Sequence, residues 1–225
     1  EGFAPTPEMP EIAEAEALVA ALAEREEVKA EASRRQRSLQ LNIAYGNALI
    51  AARGFGAPET TEAFARVRQA SFAESDAQER LAADYGLWAG SYTRGELPSI
   101  RAHAAVFLAD VADRPDSPEA GVACRAQGIT LFFAGDYVGA REHLERALDL
   151  FKPGRDDEMA FRYGPDTGVT AMAYLAFALW PLGEIDRAAA LIARMLTRMD
   201  SLTQVTTLAI GCTRRNSRSC EATRP

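Results

Sequence analysis

Residues 117 to 153 read "SPEAGVACRAQGITLFFAGDYVGAREHLERALDLFKP". Two helical runs flank the turn at Gly135 and Asp136. Ser117 can cap the first helix, with Pro118 in its first turn and Glu119 near its positive end. Gly128 is small where two helices cross closely. Asp136 caps the second helix, in which Ala140, Leu144 and Ala147 follow at helical spacing. Pro153 ends it.

The same order returns on both sides. Turn signals stand at "RGFGAPE" (53–59), "RGELP" (94–98), "AGDY" (134–137) and "LGEID" (182–186). Their glycines, Gly54, Gly95, Gly135 and Gly183, lie about 40 to 48 residues apart. A helix–turn–helix unit recurring at that distance is the mark of a solenoid. The order small residue, turn, alanine, large apolar residue, alanine, proline resembles a tetratricopeptide repeat. In "GVTAMAYLAFALWPLGEIDRAAALIARML", Ala176 takes the small position, Gly183 the turn and Ala188 the alanine. The unit near Asp76 is more degenerate, with bulky Trp88 where a small residue belongs. The first clear unit is "SLQLNIAYGNALIAARGFGAPETTEAFARVRQA".

The fold expected is therefore all-α: a right-handed superhelix of about four helix pairs. Abundant alanine and sparse β-branched residues agree with helix. Residues 1–32 read as an acidic leading helix, half of a truncated repeat. Residues 33–210 form the solenoid. Residues 211–225, "GCTRRNSRSCEATRP", read as a disordered basic tail. Their abrupt change of composition suggests a frameshift or early stop, and the start at Glu1 a piece of a longer chain.

Composition excludes several functions. A net charge of −7 and a pI near 5.0 argue against nucleic acid as partner, because phosphate binding needs a basic surface. Lys29 and Lys152 are the only lysines, and neither follows a glycine as a phosphate loop requires. Cys124, Cys212 and Cys220 have no CxxC spacing, so neither a metal nor a cofactor site is expected. Free thiols suit a cytoplasmic setting. The stretch "AMAYLAFALW" is too short to cross a membrane, and no basic-then-apolar leader opens the chain. His143 in "REHLER" and His103 in "IRAHAAVF" read as polar helix faces, and Cys124 as a small apolar residue. No catalytic constellation stands out.

"FRYGPDTGV", 161–169, has the look of a site. Its place between the third and fourth units makes it an inter-repeat loop, with Asp166 or Thr167 as cap of the next helix. Arg162, Tyr163 and Asp166 are the residues there that could meet a partner.

The segments "RQRSLQLNIAYGNALIAARGFGAPETTEAFARVRQ", "GLWAGSYTRGELPSIRAHA", "GITLFFAGDYVGAREHLERALDLF" and "AFRYGPDTGVTAMAYLAFALWPLGEIDRA" occur in an order that resembles the helical arm of large bacterial signalling proteins. Those combine a class III adenylate/guanylate cyclase, or another effector, with an AAA-type (STAND-like) ATPase and a tetratricopeptide arm. The resemblance covers about 33 to 210. The family has Asp-Pro-Gly where this chain has Asp166-Thr167-Gly168, and the tail after Gly211 departs from it. The cyclase and ATPase motifs are absent from the chain.

The resemblance implies a non-enzymatic interaction and regulatory arm. Its partner would be a protein or peptide, including an ATPase or cyclase domain of the same parent. A free-standing tetratricopeptide adaptor is one alternative, and a piece of an adenylate cyclase or ATP-binding protein whose catalytic domains lie outside this chain is another. First helices line the concave face of such arrays. Counting from the turn glycines places Tyr85, Tyr92, Arg125, Phe132, Phe177 and Trp180 near that face, a set suited to holding a peptide or helix. Apolar ends of a truncated array would favour self-association.

Overall fold

Alternation of helical runs with glycine turns dictates a row of helices, and the computed structural model shows one. It describes residues 10–72, 76–156, 159–164 and 166–202, without the side chains of 10–17, 19, 20, 160 and 161. The basic tail from 211 lies outside the described residues, as does the Phe161 side chain. The helices are α1 (Pro10–Arg53), α2 (Pro58–Ala70), α3 (Ala77–Arg94), α4 (Leu97–Asp110) and α5 (Pro118–Phe133). They continue with α6 (Tyr137–Leu150), the single turn α7 (Ala160–Tyr163), α8 (Thr167–Leu179) and α9 (Ile185–Ser201). No strand occurs among the described residues. None of their helices is long and apolar enough to cross a membrane.

Each long helix packs on the next, and α1, α3, α5 and α8 also touch in succession. Two ranks result. The first helices of the pairs form one rank, and α2, α4, α6 and α9 back them. Gly54, Gly95, Gly135 and Gly183 all have φ between 73° and 86°, a left-handed turn that glycine adopts without strain. Side-chain caps follow the sequence. Ser117 accepts from the Ala120 N–H, and Asp136 from the Gly139 N–H.

Two expectations need correction. The leading helix does not stop near 32. It runs unbroken into the first helix of the first pair, as α1 of 44 residues, about 66 Å long at the helical rise. No proline follows Pro10 within it, and one interior glycine, Gly46, costs only about 1 kcal/mol. Its residues 21–34 are exposed throughout, and only from Arg35 onward does it meet the other helices.

The second correction concerns the degenerate unit. Its small residue is Gly86, and Trp88 does another job. Phe64 of α2 presses its ring against Gly86, where a Cβ would sit 2.6 Å from the ring, and against Gly46 of α1 at 3.0 Å. In the next pair Leu144 of α6 lies so close to Gly128 of α5 that a Cβ there would meet its Cγ at 2.5 Å. Ala140, Leu144 and Ala147 have no exposed surface. Trp88 instead turns toward α5. It donates its indole N–H to Thr130 Oγ1 at 3.0 Å, and the Thr130 hydroxyl in turn donates to the Ala126 carbonyl.

One charged knot holds the second rank to the first. Arg68 of α2 pairs with Asp84 of α3 at 2.7 Å and with Asp110 of α4 at 3.0 Å. Arg80 also reaches Asp110, at 3.1 Å. Asp84 is only 2% exposed. Burial raises its pKa from 3.8 to about 7, with Asp110 adding to the rise and Arg68 opposing it. The folded state therefore binds this proton more tightly than the unfolded chain.

Two outcomes follow from this packing. Gly128→Ala should cost about 1–3 kcal/mol by overpacking, and Leu144→Ala about 2–5 kcal/mol. The double variant should cost clearly less than the sum, because the shorter side chain makes room for the new methyl; urea melts of the four proteins measure this, and additive costs would mean that the two residues do not press on one another. The Asp84 proton gives a contribution that is complete below pH 3.8 and lost as the pH rises through about 7. Asp84→Asn removes it, so the Tm of the variant should fall less than that of the wild type between about pH 5 and about pH 8. Parallel Tm profiles would place the proton elsewhere.

Candidate functional site

Because α3, α5 and α8 stand side by side, aromatic residues at helical spacing on α3 and α8 converge with Arg125 and Ile129 of α5. They line a cavity of about 340 Å³. Tyr85, Trp88 and Tyr92 come from α3, Arg125 and Ile129 from α5, and Ala173, Tyr174 and Phe177 from α8. Phe55, in the turn after α1, closes one side, and Met195 of α9 contributes as well.

The rings touch in an unbroken series. Phe55 meets Tyr85 edge-on at 6.3 Å, Tyr85 meets Trp88 at 5.7 Å, and Trp88 stacks on Tyr92 at 5.4 Å. Across the cavity Tyr174 meets Phe177 edge-on at 5.9 Å. The two sides join where the hydroxyls of Tyr92 and Tyr174 share a hydrogen bond of 2.5 Å. Burial pushes the Tyr85 phenol above its ordinary 10. It pushes Tyr174 up too, helped by the bond to Tyr92. Both keep their protons at neutral pH, so these phenols are neutral and able to donate and accept.

Arg125 is the charged member. It is 1% exposed and lies on the α5 side. Its Nη2 donates to the Tyr163 carbonyl at 2.8 Å, and its guanidinium stands 5.4 Å from the Tyr85 ring centre. Arg125 thus fastens the loop before α8 to the aromatic layer.

Of the residues expected at the concave face, Tyr85, Tyr92, Arg125 and Phe177 line this cavity. Phe132 does not. It is half-buried behind the wall, with ring contacts to Tyr174 at 5.7 Å and Phe177 at 6.2 Å. Trp180 is outside it: α8 stops at Leu179, and Trp180 caps its C-terminal end with 63% of its surface exposed. Trp88 and Tyr174 were missed. The signal was present, since Trp88 lies three residues from Tyr85 and Tyr174 three from Phe177, one helical face in each case.

The loop residues separate in the same way. Arg162 is exposed. Tyr163 is buried, stacked on Phe107 at 6.3 Å and edge-on to Tyr85 at 5.8 Å. Asp166 is also buried. Its Oδ1 accepts from the Val169 N–H at 2.7 Å, and its carboxylate pairs with Arg198 of α9. Tyr163 and Asp166 therefore hold the fold together and are not available to a partner. Between them Gly164, at φ 68°, lies against the Tyr85 hydroxyl, where a Cβ would collide.

His103 and His143 are half-buried, and burial lowers the pKa of each. Burial raises that of the Cys124 thiol, which makes it less reactive. No group of three or more His, Cys, Asp or Glu side chains able to hold a metal forms among the described residues. Compared with known proteins, the chain matches no family model and no curated protein.

The contrast within the loop is measurable. Asp166→Ala removes a cap and the carboxylate that pairs with the part-buried Arg198, and should lower stability by about 2–5 kcal/mol. Arg162→Ala should stay within about 0.5 kcal/mol of the wild type. Chemical denaturation decides it, and similar losses in both variants would contradict the buried role of Asp166.

Proposed function

We propose that this chain is a non-catalytic interaction and regulatory module, a tetratricopeptide-like array that holds a partner's peptide segment in its aromatic cavity. The observation that carries this reading is the convergence on one open cavity of rings from α3 and α8, with Arg125 and Ile129 of α5 between them. Apolar pockets with a few convergent polar groups are where proteins take ligands. Rigid rings give contact area at small entropic cost. The cavity offers phenol hydroxyls and threonines at its edges and an apolar floor, which suits an aliphatic or aromatic side chain flanked by peptide backbone.

The two-rank packing and the glycine turns support the right-handed superhelix of such arrays. The sequence resemblance supports the setting: the arm of a bacterial cyclase or ATPase signalling protein in the cytoplasm. There the array would bias the effector by binding a partner, or the effector itself, along this face. Helix α9 exposes Ile185, Ile192 and Leu196, which supports self-association through that helix.

A displayed library of short peptides, selected on the whole chain and then titrated by calorimetry, tests the reading. Ala173→Phe fills the cavity and should lower affinity for the selected peptides at least about tenfold, and Phe177→Ala should do the same. Trp180→Ala lies outside the cavity and should bind as the wild type does. Unchanged binding by folded Ala173→Phe would sink the assignment.

A further inference from the structure

A second pocket lies on the far side of α3, between its first turn and α1. It has a volume of about 190 Å³ and is lined by Gln40 and Ile43 of α1, Gln78, Glu79 and Ala82 of α3, and Arg162. Glu79 is 6% exposed. Its Oε1 accepts from Gln36 Nε2 at 2.8 Å. Its Oε2 is buried and has no hydrogen-bond partner. A carboxylate oxygen in that state is costly, because the lost hydration is not replaced.

We infer that this pocket binds a primary ammonium group carried on an aliphatic stem. The chemistry follows from the lining. An ammonium has three donors and no acceptor. The pocket is lined by Glu79, whose buried Oε2 is left without a partner, and by Gln40 and Gln78, whose carboxamide oxygens can also accept. Ile43 and Ala82 supply the apolar wall along which a methylene stem packs. A single carboxylate with two carboxamides and an apolar wall is a poor donor set for a bare divalent ion, which prefers several hard oxygens. The volume holds about six heavy atoms at the share of roughly 30 Å³ that a water takes. That is the size of a lysine side chain or of the end of a short diamine.

Arg162 stands on the rim, exposed, and forms no ion pair among the described residues. Its positive charge disfavours a cation entering beside it, so it sets the affinity from outside without contributing an acceptor.

The test uses the whole chain and two probes: 1,5-diaminopentane, and a short peptide with one lysine whose ends are blocked. Calorimetry and the line shifts of the Gln40 and Gln78 side-chain amides report binding. Saturable binding of either probe is expected. It should weaken at least about tenfold in Glu79→Gln, which keeps shape and loses charge, and strengthen in Arg162→Ala. Acetylation of the peptide's lysine should abolish its binding. Tighter binding of the diamine makes the ligand a free amine, and tighter binding of the peptide makes it a lysine side chain. Absence of binding by both probes overturns the inference. So does equal binding by Glu79→Gln. Binding that appears only in Arg162→Ala also overturns it, since Arg162 would then be the pocket's own occupant.

Discussion

Glycine under a large side chain is the constraint from which this architecture follows. Leu144 over Gly128, and Phe64 over Gly86 and Gly46, bring the second rank of helices closer to the first than any Cβ would allow. Phe151 over Gly168 does the same at the start of α8, at 2.6 Å. Close approach fixes the crossing of the two ranks, because a ridge seated in a groove cannot slide. With the second rank locked behind them, α3, α5 and α8 lie side by side. Whatever their front faces carry is then gathered in one place. The aromatic cavity is a consequence of glycine placement on the opposite faces of the same helices.

Charge is used as a fastener where helices alone would not specify a neighbour. Arg125 joins α5 to the loop before α8, the Arg68–Asp84–Asp110 knot joins α2, α3 and α4, and Asp166 with Arg198 joins α8 to α9. Each reaches across a junction between pairs or within one. Burying these groups costs solvation, and pairing offsets most of that cost without making them strong stabilisers. Their value lies in exclusiveness. A sliding or mispaired helix would leave a buried charge with nothing opposite, a larger penalty than any single apolar mismatch.

Much of this was legible in the chain. Turn glycines about 40 residues apart, Ser117 and Asp136 as caps, and the small-residue spacing around Gly128 gave all-helical pairs in the right order, because these signals are local. The unit near Asp76 was harder. Trp88 stands seven residues before its turn glycine, as Gly128 and Ala176 do before theirs, whereas the close contact falls on Gly86. Only the partner across the interface, Phe64, identifies which residue must be small. The extent of α1 was hidden for the opposite reason: a helix without a breaker gives no sign of where one packing role ends and the next begins. At the site, Tyr85, Tyr92, Arg125 and Phe177 could be placed by helical phase. Tyr163 and Asp166 could not be recognised as buried, since burial there depends on Phe107, Tyr85 and Arg198, residues 32 to 78 positions from the side chains they touch, which no local pattern links.

A cavity lined by rings argues for use more strongly than exposed rings do. Interiors close-pack, and voids wider than a water are few because their walls lose dispersion contacts on one side. Here Ala89 and Ala173 face the opening between Trp88, Tyr92 and Tyr174, where larger apolar residues would fill it and gain burial. The packing around it shows no such slack, with Ala140, Leu144 and Ala147 fully enclosed. Loose packing is therefore not a general property of this fold. One such gap lies on the face where three helices converge, and the hydroxyls of Tyr92 and Tyr174 hold one side of it in place. A space kept open on one side by a directional bond is the geometry that the proposed peptide site would use.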